Sequence, residues 1–244
     1  MSVLHRFLKA AACAGAAALS ISAAHAATLQ ISPVMVDLPA GAISSGLTLR
    51  NSGDKPIYGQ VRVFRWSQAN GDDALTPTQD VVASPPLIEI NARGEQLVRL
   101  VRTTPALDGA EQTYRVLIDE LPEPDDTQAN GVAIRLRYSV PVFVEAGNGQ
   151  IGEPKLAWHI QRNDAGMTLV VENAGRRRAQ IASVELVNSA GEAVEINKGL
   201  LGYALAGSGR QWQLSLPPAT NLAGPLKIRA AINSVKTEAA VLSR

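Results

Sequence analysis

The chain has 244 residues, with 23 Lys or Arg against 22 Asp or Glu and 46% hydrophobic residues. That balance gives no global pull toward nucleic acid. It leaves enough apolar material for two domains of about 110 residues each.

Residues 1–26 have the pattern of a cleaved export leader. Arg6 and Lys9 form a positive start, Ala10 to Ala23 is apolar and small, and Ala24-His25-Ala26 matches an A-x-A cleavage site. A mature chain would start at Ala27, lose Cys13, and keep 21 basic against 22 acidic residues. Without a cysteine it has no disulfide framework and no thiol chemistry, although an exported compartment permits disulfides. The leader is too short and Ala-rich for a good membrane span, and no other stretch approaches about 18 apolar residues, so no stable membrane insertion is expected.

Short alternating segments come next, separated by Gly, Pro, Asn and Asp. They are Leu29 to Leu38 around Pro33, Leu47 to Leu49 before Asn51-Ser52-Gly53-Asp54, Ile57 to Trp66, Leu87 to Ile90, Leu97 to Val101 and Tyr114 to Leu121. Residues 132–144 then read VAIRLRYSVPVFV, with every even position apolar. This is the period of a strand. At roughly 3.3 Å per residue it would reach about 40 Å, more than a small sandwich easily covers. Such a strand is an aggregation hazard or a binding device, and we read it as the second. No apolar run at helical spacing survives the Gly and Pro interruptions. About seven short strands in such a length are the pattern of an immunoglobulin-like sandwich.

Ala146 to Gly152 carries three glycines and reads as a hinge. This places the first domain at 27–146, a linker at 147–153 and a second domain at 154–244. The second domain repeats the strand pattern at Leu156 to Ile160, Met167 to Glu172, Gln180 to Val187, Ala193 to Ile196, Gln211 to Leu216 and Leu226 to Val235. Arg176-Arg177-Arg178 reads as a solvated turn, Asn70-Gly71-Asp72-Asp73 as a hairpin turn, and Trp66, Trp158 and Trp212 as core anchors. Catalysis finds little footing. Past the leader, His159 is the one histidine, no convergent metal-ligand set accompanies it, and neither a G-x-S-x-G elbow nor a phosphate loop is present. No catalytic residue, metal or cofactor is expected.

Several stretches resemble the periplasmic chaperones of chaperone–usher pilus assembly, above all the archaic branch that serves Csu-type or spore-coat-U-like subunits. They are Val61 to Gln68, Val82 to Pro86, Gly94 to Leu100, Tyr114 to Pro122 and Tyr138 to Val144. The resemblance implies an all-β fold of two immunoglobulin-like β-sandwich domains set at an angle. It also implies a periplasmic, non-catalytic role. Pilus subunits would be bound by donor-strand complementation and passed to an outer-membrane usher. The subunit-binding residues would be Val132, Ile134, Leu136 and Tyr138. The better-known branch anchors a subunit carboxylate with an Arg and a Lys, and those positions here are Pro33 and Pro141. Arg115 is therefore the first candidate anchor and Arg102 the second. Arg99 and Glu120 are candidates for the domain interface. The exposed edge also leaves room for self-capping by a second copy. Two other classes of reading are a structural or adhesive surface protein built of two such domains, and a carrier with its ligand between them.

Overall fold

The computed structural model describes residues 29–123, 134–147, 152–163, 166–217, 220 and 222–243. All regular elements among them are strands. In the first part these are β1 (Leu29–Ser32), β2 (Val36–Leu38), β3 (Ser44–Asn51), β4 (Ile57–Ala69), β5 (Asp72–Pro77), β6 (Val81–Ser84), β7 (Leu87–Ile90), β8 (Glu95–Arg102), β9 (Gln112–Leu121) and β10 (Arg137–Val144). In the second they are β11 (Leu156–Asn163), β12 (Gly166–Asn173), β13 (Ala179–Val187), β14 (Ala193–Ala204), β15 (Ser208–Leu214), β16 (Lys227–Ile232) and β17 (Val235–Ser243).

The first domain is a sandwich. A sheet in the order β1-β3-β8-β6 faces one in the order β2-β10-β9-β4-β5, with β7 also paired to β4. Alternation dictates which side chains meet between them. Leu47 and Leu49 of β3 and Val98 and Leu100 of β8 pack against Val61 of β4, Val116 and Ile118 of β9, and Val140, Val142 and Val144 of β10. The segment expected as one strand from Leu29 to Leu38 is two. The chain leaves one sheet after Ser32 and joins the other at Val36, with Pro33 in the crossing, where its missing N–H is not needed by a ladder.

The second domain runs β14-β13-β16-β17-β11-β12-β15. Here β17 joins two layers: its first six residues pair antiparallel with β16, while Val241–Ser243 run parallel to β11. Trp158, Leu169, Val171, Ile181, Val184, Leu186 and Ile228 fill the core. The expected strand from Leu226 to Val235 is a hairpin arm instead. Asn233 and Ser234 turn the chain with φ of 48° and 69°, a two-residue reversal made without glycine. Asn70-Gly71 is the hairpin turn that its sequence suggests, with φ of 54° and 81° between β4 and β5.

Candidate functional site

The even-numbered side chains of the long apolar row meet three different fates. Val140, Val142 and Val144 are fully inside the first core, and Tyr138 packs against it half-buried. Leu136 is half-buried, and Ile134 is 80% exposed. Val132 lies outside the described residues. The apolar phase therefore continues past the point where the sandwich ends. β10 begins at Arg137, and Ile134 to Leu136 lie beyond its first rung.

The backbone beside this row is open. Glu120 donates its N–H to the carbonyl of Leu136 at 3.0 Å, so the backbone groups of Leu136, Tyr138 and Val140 face β9. Those of Arg137 and Ser139 face the other way. On that other side β2 pairs only with Val142–Val144. Among the described residues, Arg137 to Pro141 have no neighbour there. Pro141 has no N–H to offer, so the free edge ends at that residue.

Arg115 stands beside that end. It is the direct cross-strand partner of Pro141 in the β9–β10 ladder, so both side chains lie on the outer face. Its guanidinium lies 3.7 Å from the ring centre of Trp66 and 5.7 Å from that of Tyr203 in the second domain. Among the described residues it makes no ion pair. Burial draws its pKa below the usual guanidinium range, opposed by the charge of Asp73; an arginine keeps its proton all the same. A half-buried cation that makes no ion pair among the described residues, at the end of an open edge, suits an incoming carboxylate.

Residues 28–146 match the family described as pili and flagellar-assembly chaperone, PapD N-terminal domain. This first domain belongs to the pilus-assembly chaperones. Chaperones of this family are binding proteins and not enzymes. Among solved structures, one similar to it is the CsuC–CsuE chaperone–tip adhesion subunit pre-assembly complex from archaic chaperone–usher Csu pili of Acinetobacter baumannii. The match has 24% identity over 89% of this chain and 100% of that one, with a TM-score of 0.69. The YadV chaperone is similar at 19% identity, 88% and 100% coverage and a TM-score of 0.64. So is the complex of SafA pilin with the SafB chaperone from Salmonella enterica, at 18% identity, 89% and 95% coverage and a TM-score of 0.60. At such identities these structures speak for the shared two-domain fold. No curated protein is similar enough to count as a relative.

The chaperone's other candidate residues are scattered. Arg102 ends β8 in the opposite sheet, half-buried, with its Nη1 buried and without a hydrogen-bond partner. Arg99 is exposed on the same strand, and none of the described contacts between the domains uses it. Glu120 does not reach the second domain either. One of its carboxylate oxygens accepts the Leu136 N–H at 3.3 Å and the other the Tyr138 hydroxyl at 3.4 Å. Burial, then the Glu120 charge, pushes the Tyr138 phenol up.

Residues that the sequence suggests as core or turn, together with others it does not single out, hold the domains together. Trp66 and Phe143 on the outer face of the first domain pack with Tyr203 and Leu205 of the second. The Trp66 and Tyr203 rings meet edge-on at 5.4 Å. The third residue of the basic run is no solvated turn: Arg178 is 5% exposed. It pairs with Glu111, and with Asp37 at 2.6 Å, while its guanidinium lies 3.6 Å from the centre of the Phe143 ring. Burial pushes the Glu111 carboxyl up even with Arg178 pulling the other way. Gln68 meets the second domain as a strand would, donating to the Tyr203 carbonyl at 2.8 Å and accepting from the Leu205 N–H at 2.9 Å. The β4–β5 turn docks on β15, where Arg210 reaches the Gly71 carbonyl and Asp72. Two signals for this region in the sequence are the Asn70-Gly71 turn and Asn173-Ala174-Gly175 ahead of the arginine run.

Proposed function

We propose that this chaperone captures pilus subunits in the periplasm by donor-strand complementation and passes them to an outer-membrane usher. The observation that carries the reading is the apolar row leaving the core in unbroken phase, with Ile134 exposed ahead of a strand whose edge is free. A subunit lacking one strand would receive Ile134, Leu136 and Val132 into its groove while its backbone pairs along Arg137 and Ser139. Burying each such side chain contributes on the order of 1.5–3 kcal/mol before ordering costs. A subunit strand running parallel to β10 would end near Pro141 and present its terminal carboxylate to Arg115. The leader pattern of residues 1–26, which lie outside the described residues, supports export. The same free edge is available to a second copy when no subunit is present.

The test is co-expression in the periplasm with the small secreted proteins encoded beside it. A one-to-one complex should form, vanish with Ile134→Asp, and weaken strongly with Arg115→Ala, both variants remaining folded. Unchanged co-purification with Ile134→Asp would overturn the strand assignment, and unchanged capture by Arg115→Ala would overturn the anchor. A solitary protein beside every neighbour would favour a surface or carrier role.

A further inference from the structure

From Tyr114 onward the inner row of β9 is apolar up to its last member. Tyr114, Val116 and Ile118 are buried, and the next inward position is Glu120. Across the ladder the matching row of β10 goes from Val142 and Val140 to Tyr138, and then to Leu136. The change from buried to exposed side chains on the long strand thus falls opposite an acid. In a regular antiparallel pair the Leu136 N–H would go to the main-chain carbonyl of Glu120. Here the Glu120 side chain takes it, at 3.3 Å, while the other oxygen accepts from Tyr138. The regular ladder ends one residue later, at the Arg137–Asp119 pair.

We propose that Glu120 is a positioning residue that divides the long strand into a part kept and a part offered. Resting on the donor-strand reading above, it has two effects. First, a carboxylate in the inner row closes the domain's own core, because an ionised group cannot be covered by Leu136 and Ile134 without losing its water. The next apolar side chains therefore stay unburied. Second, its two accepted hydrogen bonds hold Leu136 in strand register, so that the exposed residues before it keep the phase of those behind. The groups facing this carboxylate are the Tyr138 hydroxyl and the Leu136 N–H. Its strand neighbour Asp119 points to the other face, where it is engaged by Arg62 and Arg137. An apolar side chain at position 120 would let the core grow outward over Leu136 and stabilise the free protein at the expense of capture.

The experiment uses the mature chain and three variants, Glu120→Gln, Glu120→Ala and Glu120→Leu. Amide exchange at Leu136 and thermal unfolding are measured on the free protein, and capture of the co-expressed neighbour subunit is measured beside them. Glu120→Ala should speed Leu136 exchange roughly tenfold through the lost charged acceptor, and Glu120→Gln should stay near the native rate. Glu120→Leu should raise the unfolding temperature and lower capture together. A Glu120→Leu protein that is less stable than the native one, or a Leu136 amide indifferent to all three changes, overturns the proposal. Because exchange and unfolding need no subunit, failure of the donor-strand reading would show in capture alone.

Discussion

Asn51 and Asn173 stand at equivalent places in the two domains, each the last residue of a strand before a turn. Their chemistry is the same. The side-chain oxygen accepts the N–H of the glycine two residues on, at 2.9 Å in both, and the amide donates to the carbonyl four residues on, at 2.7 Å from Asn51 and 2.8 Å from Asn173. Each also reaches a distant strand, Ile90 for Asn51 and Ala204 for Asn173. The segments after the two turns differ. After Asn51 come Asp54 and its exposed pair with Arg93. After Asn173 the chain presses Gly175 against the backbone of Glu153 to Lys155, where a Cβ would collide, and drives Arg178 into the other domain. The end strands differ in the same sense. β17 closes its domain by joining two layers, while β10 overruns its own. One frame has served twice, once to hold an angle and once to expose an edge.

The buried cation is where this difference between the domains can be probed hardest. Arg178→Met should cost about 3–5 kcal/mol, because Glu111 would be left buried without its counter-charge. Chemical denaturation should then show two separated transitions, and a single unshifted one would mean the domains do not depend on this pair. Replacing Glu111 by Leu in the same variant should restore part of the loss. Next come the twin turns. Asn51→Ala and Asn173→Ala should each lose about 2–3 kcal/mol through several buried hydrogen bonds. A much larger loss at Asn173 would show that its turn also sets Arg178. Gln68→Ala should lose about 1–2 kcal/mol, and small-angle scattering should show a wider spread of domain angles. No broadening would remove Gln68 from the hinge.

The smallest effect is electrostatic. Hydrogen bonds from Lys227 and Arg229 hold Glu238 at about 2, against an ordinary value of 4.5. A depressed acid contributes fully above its unfolded value and loses that contribution as pH falls through its folded one. Glu238→Gln should therefore flatten the second domain's unfolding temperature between those two values, lowering it slightly near neutrality and leaving it unchanged below the folded value. The group is exposed, so the slope change should be slight. In the first domain Asp119 has the same sign: burial would raise it, but Arg137 and Arg62 hold it low.

Strands with clean alternation, such as β4, β9 and β13, are legible from sequence because the period of two survives any partner. β5 is not, since Asp72–Pro77 is almost wholly exposed and exists as a strand by pairing with the long β4. β17 is hidden behind a turn with no glycine and an Ala-rich stretch. Alternation also cannot say where a domain stops covering its own row, which is why residues 132–144 read as one uniform strand. Arg178 is the sharpest failure. Three adjacent arginines carry the same composition, and only the tertiary contact with Glu111 and Asp37 separates the buried one from Arg176 and Arg177.

The proline that ends the free edge has one more consequence. With no rung beyond Pro141 and one cation beside it, the site can act as a ruler on the proposed anchoring. A bound chain is measured from its terminal carboxylate backward. Because strand side chains alternate, a partner longer by a single residue would turn every one of its side chains to the wrong face. Partners would then be selected by the parity of the distance between their groove and their last residue, whatever the identity of that residue.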